Sequence, residues 1–296
     1  MRTWRRRIGF AAGGLAAVLV LALGGIYGMS AAAVGTGHEA SAHALDVAGA
    51  DVAEGGRLAV VYGCTDCHAA DLGGKVMIDD PAFARVIASN LTAGRAGGAL
   101  TDDQFERAVR HGVGGDGRAL YIMPSSEYTY LSDADVANLL AYVRTIPAVE
   151  RELPARSFGP VGRLMVTLGK VPAQNDLINA DPSARHLSKP TTAEPLRLGH
   201  YLTRLCTGCH GPDLAGAPAH GPDAPPGANL TPAGNLGRWS LEDFRTVFAT
   251  GRTPEGKQLD PYAMPWNVIG QASPEEIEAI WTYLQTVEAK ATPAAK

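Results

Sequence analysis

Four cysteines in two identical spacings constrain this chain more than any other feature. Cys64-Thr65-Asp66-Cys67-His68 and Cys206-Thr207-Gly208-Cys209-His210 hold every cysteine in the 296 residues. A bare C-x-x-C is shared by redox dithiols, disulfides and half zinc sites. An extracytoplasmic compartment would favour disulfides, and four thiolates could close around one zinc ion. None of these readings gives a reason for the immediate histidine, which occurs twice. C-x-x-C-H has such a reason, as the attachment signature of c-type haem. Two thiols add across the two vinyl groups of one haem, and the two-residue gap matches the distance between those vinyls. The adjacent imidazole then lies under the iron and presents Nε2. The pattern implies two covalently bound haem c groups, held by Cys64 and Cys67 with His68, and by Cys206 and Cys209 with His210.

The two motifs belong to a longer repeat with a period near 141 residues. Asn90-Leu91-Thr92 returns as Asn229-Leu230-Thr231, and Thr101 to Phe105 returns as Ser240 to Phe244. Tyr121-Ile122-Met123-Pro124 returns as Tyr262-Ala263-Met264-Pro265, and Tyr142 as Tyr283. Each unit is near 100 residues, which is a duplicated domain and not a solenoid. Helical spacing predicts helices over about 52–63 and 196–205, just before each C-x-x-C-H. Thr101 opens a T-x-x-Q capping box and Ser240 the matching S-x-x-D. A third helix starts at Ser132 or Ser273, the latter with Pro274 in its first turn. Gly and Pro number 35 and 20, so loops join short elements, and no strand alternation stands out. A haem would supply the apolar core that so small, loop-rich a unit lacks.

A histidine-ligated haem needs something on its other face. Only six methionines exist, and Met123 and Met264 follow His68 and His210 by 55 and 54 residues. A core methionine on a helix is the plain alternative, but Pro124 and Pro265 break helices at those places. The expected iron ligands are therefore His68 with Met123 and His210 with Met264. His111 and His220 could replace a methionine in principle; a helix-end histidine and a loop histidine are the simpler readings. A backbone carbonyl within Gly211-Pro212-Asp213-Leu214 is expected to take the His210 Nδ1–H. The first unit has Ala69-Ala70-Asp71-Leu72 there, without the proline.

The N-terminus carries Arg2, Arg5, Arg6 and Arg7 before an uncharged run, most apolar from Ile8 to about Met29. A basic region before an apolar stretch is an export signal. Its length suits a membrane span better than a cleaved signal, although Ala31-Ala32-Ala33 offers a cleavage site. Arginines on that side place it in the cytoplasm and the rest of the chain in a periplasm-like space. The net charge of −4 argues against a nucleic-acid partner.

The order of N-terminal helix, C-x-x-C-H, Met-Pro loop and C-terminal helix resembles a class I cytochrome c domain. With Asn-Leu-Thr, Trp239-Ser240 to Phe244 and Tyr-x-Met-Pro, the pair is similar to membrane-bound cytochrome c subunits of bacterial alcohol and sugar-acid dehydrogenases. The resemblance implies an all-α fold, two tandem class I domains after a transmembrane or signal helix. The expected division is 1–35 signal-anchor or signal peptide, 48–150 first domain, 151–190 Pro-rich connector and 191–290 second domain. It implies an electron carrier and not an enzyme. The donor would be a dehydrogenase or quinol oxidiser, and the acceptor a cytochrome or terminal oxidase. The chain would sit on the periplasmic side of the inner membrane, anchored by residues 8–29. A dihaem peroxidase would need an open or histidine-filled distal site, against which the two methionines argue. A haem-bearing structural subunit shares every sequence feature with the carrier. The connector reads as a linker packed along both domains, or as a docking surface, since residues 151–190 carry a net charge of +3.

Overall fold

The structure, a computed structural model, describes residues 2–35, 38, 40–94, 98–181, 186–219 and 225–293. His220, singled out in the sequence, lies outside the described residues. Helix α1 (Arg2–Gly35) comes first. Its stretch Phe10–Ala31 has a mean hydropathy of 2.1, long and apolar enough to cross a membrane.

The first unit contains α2 (Val52–Val61), α3 (Cys64–His68), strands β1 (Lys75–Asp80) and β2 (Ala84–Ala88), then α4 (Asp102–His111), α5 (Ser125–Tyr128) and α6 (Asp133–Thr145). The connector follows with β3 (Ser157–Phe158), α7 (Pro160–Thr167) and α8 (Gln174–Ala180). The second unit contains α9 (Pro195–Thr203), a 3₁₀ turn Arg204–Cys206, α10 (Thr207–His210), α11 (Leu241–Thr250), α12 (Trp266–Ile269) and α13 (Pro274–Leu284). The caps stand where the sequence places them. Thr101 and Gln104 close a reciprocal capping box on α4, and Ser240 with Asp243 does the same on α11. Ser132 and Ser273 cap α6 and α13.

In each unit the first helix crosses the last at a glycine. A Cβ on Gly55 would lie 1.9 Å from the Asn138 carbonyl, and one on Gly199 2.0 Å from that of Ala279. This near contact lets Leu58 and Ala59 pack against Val136, Leu139 and Leu140, all buried, with Leu198 and Leu202 against Ile277 and Ile280 in the second unit. Each large apolar side chain so covered contributes about 2 kcal/mol.

The all-α expectation needs one correction. Strands β1, β2 and β3 form an antiparallel sheet in that order. The turn between the first two begins at Asp80, whose carboxylate accepts the N–H groups of Ala82 and Phe83. On either side run Val76-Met77-Ile78 and Val86-Ile87, β-branched stretches too short to show an alternation. The connector is also more than a spacer, since β3 completes the sheet and Arg156 donates to the Ala119 carbonyl at 2.9 Å.

The units face each other through reciprocal contacts. Arg57 on α2 donates to Glu276, the third residue of α13, at 2.6 Å. Tyr201 on α9 donates its hydroxyl to Asp135, the third residue of α6, at 2.7 Å. Lys189 lies between them, 3.2 Å from Glu54 and 3.3 Å from Asp135. The Arg57 hydrogen bond holds the Glu54 carboxyl down at about 2, whereas burial raises that of Asp135. A depressed carboxylate contributes stability above its ordinary value of 4.5, lost as pH falls toward about 2. Arg57→Ala should therefore lower stability at pH 7 by about 2 kcal/mol. Denaturant titrations should show the gap to the parent closing between pH 4.5 and 2. A gap that does not change with pH would contradict this assignment.

The turn just after His68 carries backbone strain. Ala69, directly after His68, has φ 66° and ψ 160°, a region that suits glycine alone. The second unit has Gly211 there, with φ 82° and ψ 157°. Ala69→Gly should raise stability by about 1 kcal/mol, read as a higher melting temperature with an unchanged visible spectrum. A lowered melting temperature would count against the strain.

Candidate haem site

Each C-x-x-C-H occupies a helical turn entered directly from the first helix. The thiols of Cys64, Cys67, Cys206 and Cys209 form no disulfide. Burial pushes the Cys64 and Cys206 thiols up to about 12, and those of Cys67 and Cys209 also rise. A redox dithiol works through a thiolate with a lowered pKa. These thiols are held as S–H, against the dithiol reading.

The two histidines are fixed in the same way. His68 donates its Nδ1–H to the Ser89 carbonyl at 2.7 Å, and His210 donates to that of Ala228 at 2.8 Å. A carbonyl only accepts, so Nδ1 carries the proton and Nε2 keeps its lone pair. Burial lowers both imidazoles from their ordinary range and keeps them neutral. The carbonyl expected within Gly211–Leu214 is not the acceptor. That segment turns back through left-handed Leu214, as the first unit does through Leu72, and their carbonyls accept from the Leu230 and Leu91 N–H groups at 2.8 and 2.9 Å. The acceptor comes from the residue just before each Asn-Leu-Thr.

That placement gives the Asn-Leu-Thr repeat a purpose its sequence does not declare. Asn90 donates to the Val149 carbonyl at 2.7 Å and accepts from the Thr92 N–H and hydroxyl at 2.9 and 2.8 Å. Asn229 donates to the Lys290 carbonyl at 2.7 Å and accepts from Thr231 in the same fashion. Each asparagine thus pins the histidine's carbonyl partner to the chain that leaves the last helix.

Cys64, Cys67, His68 and Met123 all line one cavity, walled mainly by apolar side chains that include Leu100, Phe105, Val109, Leu139 and Val143. Above it, Pro124 and Ser125 turn on a bond from the Ser125 N–H to the Met123 carbonyl at 2.8 Å. The second unit repeats this turn, with the Trp266 N–H donating to the Met264 carbonyl at 2.7 Å. This cavity, which gathers all four residues, is the first unit's. Its buried thiols, Nε2 lone pair and apolar walls suit a flat, apolar, doubly tethered haem.

The sequence did not single out everything on this wall. Met77 of β1 and Arg156 of the connector line the same cavity. Met77 sits in a strand, without a following proline to fix its thioether. Met77→Leu should leave the haem spectrum as it is; loss of a low-spin signature in that variant would make Met77 a ligand. Burial lowers the Arg156 guanidinium from its usual range, and its place on the wall removes it from the inert linker. His111 ends α4, 3.2 Å from Glu106, and is absent from the cavity wall. The two Tyr-x-Met-Pro tyrosines also differ. Tyr121 donates to the Ala33 carbonyl at 2.7 Å and meets the Phe158 ring edge-on, while Tyr262 is 97% exposed. Only the first unit has α1 and β3 to cover that position.

The two candidate sites meet across the unit boundary. Helix α5, directly after Met123-Pro124, packs on the Arg204–Cys206 turn. A Cβ on Gly208, between Cys206 and Cys209, would lie 2.8 Å from the Glu127 carboxylate. The Arg204 guanidinium covers the Tyr130 ring at 3.7 Å. The distal loop of one unit therefore abuts the thiol turn of the other.

A cytochrome c family model matches residues 52–147 and 199–288. The fructose dehydrogenase cytochrome subunit of Gluconobacter japonicus is 30% identical over 268 residues, 81% of this chain and 53% of that subunit. The cytochrome c subunit of the alcohol dehydrogenase (quinone) of Komagataeibacter europaeus is 28% identical over 72% of this chain and 50% of its own length. The gluconate 2-dehydrogenase cytochrome c subunit of Pantoea cypripedii is 27% identical over 81% of this chain and 60% of its own length. The chain spans about half the length of the curated relatives it matches. Two family-model segments, each opening on the first helix of a unit and spanning its C-x-x-C-H and Met-Pro turn, leave one assignment: the chain belongs to the cytochrome c family, whose haem c is bound covalently.

Proposed function

We propose that the chain is a dihaem electron carrier that takes electrons from a dehydrogenase and passes them toward a respiratory acceptor. The observation that carries this reading is the duplicated histidine with its Nδ1–H locked on a carbonyl, facing in the first unit a cavity shared with a Met-Pro turn. Haem c, when bound, supplies an iron that cycles between Fe(III) and Fe(II). The chain's own residues do the rest. Cys64 and Cys67, and Cys206 and Cys209, tether the macrocycle. His68 and His210 offer Nε2 from a fixed ring. Met123 and Met264 offer thioethers, which favour Fe(II) and raise the potential. Leu100, Phe105 and Val109 exclude water from the first site.

Met123 leads through α5 to the Cys206–Cys209 turn, the short route between the two sites. The relatives are named as subunits of fructose, alcohol and gluconate dehydrogenases, and a dehydrogenase of that kind is the donor we assign. A cytochrome or terminal oxidase is the acceptor class. With α1 in the membrane and its arginines on the cytoplasmic side, both units face the periplasm.

The test uses the tagged full chain, purified from native membranes in mild detergent. A dehydrogenase subunit should co-purify, and fructose, ethanol or gluconate added in turn should reduce both haems in one case. A chain that purifies alone, ignores all three and consumes hydrogen peroxide would overturn the carrier in favour of a peroxidase.

A further inference from the structure

Helix α7 has three surfaces, two of which the fold accounts for. Its inner side rests on the sheet turn, where a Cβ on Gly162 would lie 2.1 Å from the Phe83 carbonyl. The Gly159 and Val161 N–H groups bond the Phe83 and Ala82 carbonyls at 2.8 and 2.9 Å. A second side meets α1. Arg163 donates to the Ser30 hydroxyl at 3.0 Å, and its guanidinium lies over the Tyr27 ring at 4.4 Å. Among the described residues, the third side is left partly open. Val161, Leu164 and Leu168 fall on one stripe at i, i+3 and i+7, and are 48, 38 and 62% exposed.

The contact with α1 sets the height of this stripe. Tyr27 and Ser30 belong to the last turns of the apolar stretch Phe10–Ala31. A span of that length brings them to the level of the lipid headgroups, where tyrosine rings concentrate. Helix α7 packs on α1 at that level. Lys170, exposed just past the C-terminal end of α7, stands as cations do beside an interfacial helix near anionic lipid.

We propose that α7 is a second membrane contact, lying in the interface with Val161, Leu164 and Leu168 at the boundary between headgroups and acyl chains. The inference rests on α1 crossing the bilayer. One helix alone leaves the haem-bearing units free to swivel about it. A second contact, joined to the sheet at Gly162 and to α1 at Arg163, holds the units in one attitude to the membrane plane.

The four native cysteines are all in the haem-attachment motifs, so an added cysteine is the single free thiol of the holoprotein. Nitroxide labels would be placed through Leu19→Cys, Leu164→Cys, Leu168→Cys and, on exposed α11, Glu242→Cys. The full chain would be held in nanodiscs of phosphatidylcholine and phosphatidylglycerol. Power saturation compares access by oxygen, which dissolves in lipid, with access by a water-soluble nickel chelate. Labels at 19, 164 and 168 should favour oxygen, and the label at 242 the chelate. If 19 favours oxygen while 164 and 168 behave like 242, the α7 contact is overturned and the anchor stands. If 164 and 168 are shielded from both reagents, protein covers the stripe, which also overturns the proposal. If 19 itself favours the chelate, the anchor fails and the α7 contact with it.

Discussion

In Met123→Leu, one of the two haems loses its low-spin spectrum and its potential falls by a value on the order of 0.2 V, while the other titrates as before. Leucine nearly conserves the volume of the thioether, so the cavity wall stays filled and the fold holds. What is removed is the sulfur. Met264→Leu should do the same to the other haem. The pair of variants assigns each potential to its unit, because the two methionines lie on separate turns before α5 and α12. Spectroelectrochemistry of both variants is the measurement. An unchanged spectrum in Met123→Leu would mean that the iron takes another ligand, and Met77 on the same wall is then the first residue to replace.

Gly55→Ala should destabilise the first unit by about 3 kcal/mol or more, and Gly199→Ala the second by a similar amount. A new Cβ at either place would stand about 2 Å from a carbonyl oxygen of the crossing helix, well inside van der Waals contact. Overpacking of a tight crossing costs about 1–3 kcal/mol where neighbours can shift, and here the neighbour is helix backbone. The helices must move apart, which loosens Leu58 against Val136 in one unit and Leu198 against Ile277 in the other. Gly56, one residue on, is the control. Its Cβ would meet only the Tyr142 ring, at 3.1 Å, and a side chain can give way. Chemical denaturation of the three variants should rank Gly55→Ala and Gly199→Ala far below Gly56→Ala. Equal stabilities would show that the crossing is not held at the glycines.

The attachment chemistry was legible because it is local. Two cysteines, a histidine and a fixed spacing carry it, and the capping boxes at Thr101 and Ser240 are local in the same sense. The repeat made the Met-Pro turns stand out from the other methionines. What the sequence left unread is long-range. The carbonyls that hold His68 and His210 come from Ser89 and Ala228, 21 and 18 residues away, and no spacing rule points to them. The sheet was missed because its strands are short, and because β3 lies in a segment whose prolines suggest a spacer. The unit boundary was invisible for a different reason. Arg57 and Tyr201 hold equivalent places in the two first helices, yet they differ in residue type, so the repeat pattern hides their shared use. Arg156 lies in the connector, and only the fold places it on the cavity wall.

Both units are proposed to bind haem with the same ligation. A pyridine haemochrome assay of the purified full chain, combined with a redox titration of its visible spectrum, tests it most directly. Two haem c groups per chain are expected, both low-spin and both at the raised potential of histidine–methionine ligation. One haem per chain, or a second haem that is high-spin at rest, would contradict it.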